Sequence, residues 1–120
     1  RIPEVVSDNL VKVGGLKMIS RTVPTPRRIK ILTAVFQSLS DPVRLSILHI
    51  VSSTPLCVCI IKSIVKTTDS KLSYHLDNLK SAGLIAQQSE GKFIIYRITN
   101  LGKMLLSASN SIRRPSHKPA

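Results

Sequence analysis

The stretch from Ser63 to Gly83, SIVKTTDSKLSYHLDNLKSAG, constrains the fold more than any other part of the chain. Two short helical patterns meet there at a polar turn, Thr67-Thr68-Asp69. The second pattern sets Leu72, Leu76 and Leu79 at i, i+4 and i+7, one face of a helix. At about 100° per residue, Ser70, Tyr74 and Asp77 fall on the opposite face, with Lys71, Ser73 and Asn78 beside them. Asp69 or Ser70 is placed to cap this helix and Gly83 to stop it. A helix, a tight polar turn and a second helix with a polar, short-chained outer face is the sequence form of a helix-turn-helix, whose second helix enters a DNA groove.

Composition narrows the class. At 120 residues, one domain is the default. Apolar residues make up 42% of the chain but aromatics only 3%, so the core must be aliphatic. With 18 Lys and Arg against 6 Asp and Glu, the net charge is +12. A chain this basic meets a polyanion (DNA, RNA or an anionic membrane surface) or keeps solvated lysines for solubility. No apolar run approaches the roughly 18 residues of a spanning helix, and no secretory signal stands at the start. Cys57 and Cys59 are too few and too close for a secreted disulfide framework. The expectation is an intracellular, cytoplasmic protein without membrane association.

Residues 1–27 read as an N-terminal arm or extension, where Val5, Val6, Leu10, Val11 and Val13 make a short amphipathic piece interrupted by Gly14-Gly15, Pro24 and Pro26. From Arg28 the pattern is helical. Ile29, Leu32, Phe36 and Leu39 form one stripe, and Ile31 and Val35 a second. That face is wider than a small domain needs to cover one helix, which points to a second copy of the chain; the alternative is a fully enclosed core helix. Ser40-Asp41-Pro42 starts the next helix with a cap and a first-turn proline. Val43, Ile47, Leu48 and Val51 face inward there, Arg44 faces solvent, and His49 reads as a packed or surface histidine rather than a ligand. Leu56-Cys57-Val58-Cys59-Ile60-Ile61 opens a further helix that runs to about Val65.

Past the helix-turn-helix, residues 84–88 and 93–98 read as strands around a tight Glu90-Gly91 turn. A hairpin in this place is a wing, and its Lys92 and Arg97 would lie over a phosphate backbone or minor groove. Thr99 is placed to cap a last helix, Asn100–Ser109, whose Leu101, Met104, Leu105 and Ala108 form a second candidate dimer stripe. Residues 110–120 read as a basic disordered tail. The folded domain is therefore expected over 28–109.

Taken in order, Asp41-Pro-Val-Arg-Leu-Ser-Ile-Leu48, Leu56-Cys-Val-Cys59, Leu72-Ser-Tyr-His-Leu76 with Leu79, Ala82-Gly-Leu-Ile85, and Glu90-Gly-Lys92 with Tyr96-Arg97 resemble the ArsR family of metal-sensing winged-helix repressors. The resemblance covers roughly Val35 to Leu106. It implies a mainly α fold with a β-hairpin wing, α-α-α-α-β-β-α, in a homodimer formed by the helices containing Ile29–Leu39 and Asn100–Ser109. It also implies DNA reading by the helix containing Lys71, Ser73, Tyr74 and His75; with Ser70 on the polar face of that helix, Lys92 and Arg97 on the wing and two-fold symmetry, the expected partner is a double-stranded DNA operator, an inverted repeat. His75, about 140° around the helix from the apolar stripe, is expected to pack against a neighbour with one nitrogen near DNA.

Cys57 and Cys59 are the candidate metal ligands. Leu-Cys-Val-Cys is similar to the arsenic- and cadmium-responsive branch of that family, and soft thiolates suit As(III), Sb(III), Cd(II) or Zn(II). On a regular helix the two side chains point about 200° apart, so joint chelation requires the first turn to unwind. That distortion would be the switch. Where the arsenic branch often has a third cysteine this chain has Lys62, and Pro55 and Ile60 replace the usual acidic neighbours. The last helix contains no His, Asp or Glu, so the zinc site of another branch is missing. No Ser/His/Asp set, phosphate loop or carboxylate pair suggests catalysis, and no cofactor is required. The expectation is a repressor released by a thiophilic metal or metalloid. The alternatives are a constitutive or redox-responsive DNA-binding protein with structural cysteines, and a winged-helix module contacting protein or RNA.

Overall fold

Two caps and one glycine set the boundaries of the fold. In a computed structural model, which describes residues 1–113, the elements are α1 (Glu4–Lys12), α2 (Gly15–Ser20), α3 (Pro26–Leu39), α4 (Pro42–Ser53), β1 (Leu56–Cys57), α5 (Val58–Ile64), α6 (Asp69–Ser81), β2 (Ile85–Glu90), β3 (Phe93–Ile98) and α7 (Asn100–Ser109). Asp41 starts α4 by accepting the Val43 and Arg44 N–H groups at 2.8 and 3.0 Å, with Pro42 in the first turn. Thr99 caps α7 through the Gly102 N–H at 3.1 Å. Gly83, at φ +78, ends α6. The Gly83 N–H donates to the Lys80 carbonyl and the Leu84 N–H to the Leu79 carbonyl, both at 3.0 Å, the double bond of a Schellman stop.

The chain divides into two units, Arg1–Thr33 and the residues from Ala34 on. In the first, α1 and α2 meet at Gly14, which has φ +99, and neither helix has a buried residue. The extension is thus helical on both sides of the Gly14-Gly15 break. In the second unit the core is aliphatic, as the composition requires. Ile47, Leu48 and Val51 of α4 meet Ile61, Leu72, Leu76, Leu79, Leu84, Ile85, Tyr96, Ile98 and Leu106 in one cluster. The α6 stripe Leu72, Leu76 and Leu79 is buried in full.

The sheet has three strands in the order β1-β3-β2, all antiparallel. β2 and β3 pair from Ile85 with Ile98 to Glu90 with Phe93, around a two-residue turn, Gly91-Lys92. Gly91 sits at φ +60 and Lys92 has no positive φ, the pattern of a type II′ hairpin. The turn is therefore one residue later than the Glu90-Gly91 expected from sequence. A second difference matters more. Leu56 and Cys57 do not open a helix; they pair with Tyr96 and Ile95 as a short outer strand. The backbone of β3, far away in sequence, satisfies their backbone groups, and local periodicity carries no trace of that pairing. Residues 114–120, most of the expected basic tail, lie outside the described residues.

Candidate nucleic-acid interface and thiol site

α6 presents its polar face as the leucine spacing requires. Ser70, Lys71, Ser73 and Tyr74 are exposed, Tyr74 at 61%. The cap differs from the expected Asp69 or Ser70. Thr68 stands just outside the helix in extended conformation and its Oγ1 accepts the Lys71 N–H at 3.2 Å. Asp69 is thereby the first helical residue, where a carboxylate favours the positive end of the helix dipole. It also pairs with Lys62 of α5 across the turn. Both partners are at least half exposed, so this ion pair is worth about 0–1 kcal/mol.

His75 is half-buried, and its ring meets Tyr74 edge-on with centroids 5.4 Å apart. Its Nδ1 lies 3.1 Å from Arg44 Nη1. Arg44 is therefore not the solvent-facing residue the helical pattern of α4 suggested; it is half-buried, with its guanidinium bonded to the Ser38 carbonyl on α3 and to His75 on α6. His49 is exposed. On the wing, Lys92 is exposed at the hairpin tip. Arg97 is also exposed, but at the other end of β3, in a cleft with Ser53, Thr54, Pro55 and Lys103. At about 3.4 Å per residue the two wing cations stand roughly 17 Å apart.

The thiols are brought together without unwinding a helix. Cys57 is the N-cap of α5, extended at φ −79 and ψ 160, and Cys59 is in the first turn. Leaving Cys57 outside the helix cancels the 200° separation that a regular helix would impose, and the two sulfurs lie side by side. With Cys57 outside α5, the two sulfurs meet without any distortion of the first turn. Cys57 is half-buried and Cys59 exposed. A hydrogen bond from the Cys59 thiol, helped by the Ile60 N–H, holds Cys57 below the usual thiol range. The same bond to Cys57 pushes Cys59 up. The pair thus loses its first proton easily and its second reluctantly. A soft ion would bind both sulfurs only by displacing both protons, the second against the raised Cys59 thiol. A shallow groove lined by Val58, Lys92, Phe93 and Ile94 adjoins the thiols. Among the described residues no group of three or more His, Cys, Asp or Glu converges.

An apolar groove of about 280 Å³ lies between the end of α3, α4 and α7, lined by Phe36, Leu39, Leu45, Leu105, Leu106 and Ile112. Phe36 is 59% exposed in it.

Helix, turn, reader helix, two-stranded hairpin and closing helix define a winged helix-turn-helix. Residues 41–87 match the family profile described as "Bacterial regulatory protein, arsR family". The cadmium resistance transcriptional regulatory protein CadC of Listeria innocua is 37% identical over 71 residues, 58% of this chain and 60% of that protein. The arsenical resistance operon repressor of Bacillus subtilis is 36% identical over 66 residues, 54% of this chain and 63% of that protein. An HTH-type transcriptional regulator of Methanocaldococcus jannaschii is 34% identical over 67 residues, 55% of this chain and 75% of that protein. In structure, the homodimeric winged helix-turn-helix DNA-binding domain Mb0332 of Mycobacterium bovis superposes with a TM-score of 0.62 at 22% identity, covering 81% of this chain and 98% of that one. The chain belongs to the ArsR family, whose members here are transcriptional regulators and not enzymes. It spans about 60% of the length of CadC.

Proposed function

We propose that the protein is a dimeric, cytoplasmic repressor that reads a DNA inverted repeat with α6 and leaves it when a thiophilic metal or metalloid joins Cys57 to Cys59. The observation that carries this reading is the position of the thiol pair. Cys57 belongs at once to β1, paired with the wing strand β3 at Ile95, and to the N-cap of α5. A ligand that re-spaces the two sulfurs pulls on both. Through β1 it shifts the wing, and through α5 and the short turn after it, it shifts the first turn of the reader helix. No strained helix is needed; the signal passes through two short connections. CadC and the Bacillus subtilis repressor are by name regulators of cadmium and arsenical resistance, which supports Cd(II) or As(III) as inducer, with Sb(III) and Zn(II) as chemical relatives.

Ser70, Lys71, Ser73 and Tyr74 supply the base-side contacts and Lys92 the backbone contact of the wing. The apolar groove with Phe36 receives the second subunit, which would set two reader helices about 34 Å, one DNA turn, apart. The net charge of +12 supplies the sequence-independent attraction. The test is selection of duplexes from a random-sequence library followed by footprinting. Protection of two half-sites related by a dyad is expected. Enrichment of RNA, or of no sequence at all, would refute DNA reading and favour an interaction module.

A further inference from the structure

Arg44 is bonded in a way that regulation and the core do not explain. Its Nε donates to the Ser38 carbonyl at 2.7 Å and its Nη2 to the Gln37 carbonyl at 3.2 Å, both in the last turn of α3. Its Nη1 reaches Nδ1 of His75 on α6 at 3.1 Å. Its own backbone N–H is held by the Asp41 cap. One guanidinium therefore joins the C-terminal end of α3, where the Gln37 carbonyl also accepts the Ser40 N–H, and touches the reader helix from a fixed place on α4. We propose that Arg44 is the positioning residue of the reader helix, fixing through His75 where the polar face of α6 stands relative to the end of α3.

The chemistry of the pair is directional. Arginine has only donors, so His75 Nδ1 must be the acceptor and a neutral ring carries its proton on Nε2. The rigid fork reaches three acceptors on two helices, which a lysine ammonium on a flexible stem does not reproduce. His75 thus acts through Arg44 and not primarily through DNA, a narrower role than the sequence suggested for it. The consequence falls on sequence preference. If α3 lies in the dimer interface, as proposed above, the orientation of α6 on α3 sets the spacing of two reader helices and hence the fit to an inverted repeat. The inference rests on that reading only for its DNA consequence; the Arg44–His75 geometry stands independently of it.

The test uses the full chain and a duplex selected from a random-sequence library. An asparagine amide sits where Nδ1 sits, and a glutamine amide reaches to where Nε2 sits. His75→Asn is therefore expected to keep the preference for selected over random duplex, and His75→Gln to lose roughly tenfold of it. Arg44→Lys, which keeps the charge, is expected to lose as much as Arg44→Met. The opposite order, with Gln rescuing and Asn not, or rescue by Lys, would overturn the proposal. The DNA-free arm is the ring nitrogen spectrum of His75. Parent protein should show Nε2 protonated and the Nδ1 signal of a nitrogen that accepts a hydrogen bond, and in Arg44→Met the Nδ1 signal should move to that of an unbonded ring nitrogen. A parent ring protonated on Nδ1 refutes the geometry. The expected spectrum in a protein that selects no DNA sequence would instead leave the positioning intact and refute the DNA reading.

Discussion

Gly102 gives the fold's sharpest test, because a single methyl group decides it. Gly102 is buried in the first turn of α7. A Cβ built there lies 2.6 Å from Ile98 Cγ1 and closer still to the Leu84 carbonyl oxygen. That carbonyl accepts the Thr99 N–H at 3.1 Å and the Thr99 hydroxyl at 3.1 Å. It is a fixed backbone atom, not the free end of a side chain. Gly102→Ala gains about 1 kcal/mol of helix propensity. Overpacking against a part that cannot swing away costs about 1–3 kcal/mol or more, and contact with backbone places this case at the upper end. The clash wins, and a net loss of about 2 kcal/mol is expected. For a domain of this size that lowers the melting temperature by roughly 10 °C. Urea and thermal unfolding at one fixed protein concentration measure it, with Lys103→Ala, exposed on the next residue, as the neutral control. A Gly102→Ala protein as stable as the parent would mean that α7 does not seat against Leu84 as described.

Three other outcomes are expected. Tyr74→Ala lowers the preference for selected over random DNA, whereas Lys92→Ala weakens both and reduces the salt slope by about one; Arg97→Ala moves the slope less, being at the far end of β3. Asp41→Ala costs about 1 kcal/mol near neutral pH through the lost cap. The Arg44 N–H holds the Asp41 carboxyl below the usual range, ahead of the opposing effect of burial. Its contribution is therefore complete above an unfolded pKa of about 3.9, and it is lost as pH falls through the folded value, so parent and variant unfolding curves should converge in acid. Phe36→Glu places a charge in the apolar groove and should give monomers by sedimentation while circular dichroism stays that of the parent; a variant that remains dimeric would put the interface elsewhere.

The parts legible in the sequence were those encoded by near neighbours. The Leu72, Leu76 and Leu79 stripe, the Asp41-Pro42 start and the Thr99 cap each need only a few adjacent residues, and each stands in the structure as read. The sequence pattern offers Asp69 or Ser70 as the cap; Thr68 is equally a cap-forming residue, and its extended backbone, which local pattern does not encode, decides it. β1 is two residues long and exists only because β3 pairs with it. The same pairing leaves Cys57 outside α5, so the thiol geometry could not be had from helical spacing alone. Arg44 follows the same logic. Its helical position predicts exposure, while its partners on α3 and at His75, 31 residues away, hold it down.

Cys57 and Cys59 are proposed to switch DNA binding without touching DNA. The most direct measurement of this is operator affinity under reducing conditions, with and without arsenite or cadmium, for the parent and for Cys57→Ser with Cys59→Ser. The parent should lose affinity when the ion is added. The double variant should bind the operator as tightly as the ion-free parent and stay bound with the ion present, and each single variant should be nearly as unresponsive because one thiolate does not chelate. A parent that ignores arsenite, antimonite, cadmium and zinc, or a double variant that is still released, would contradict the account.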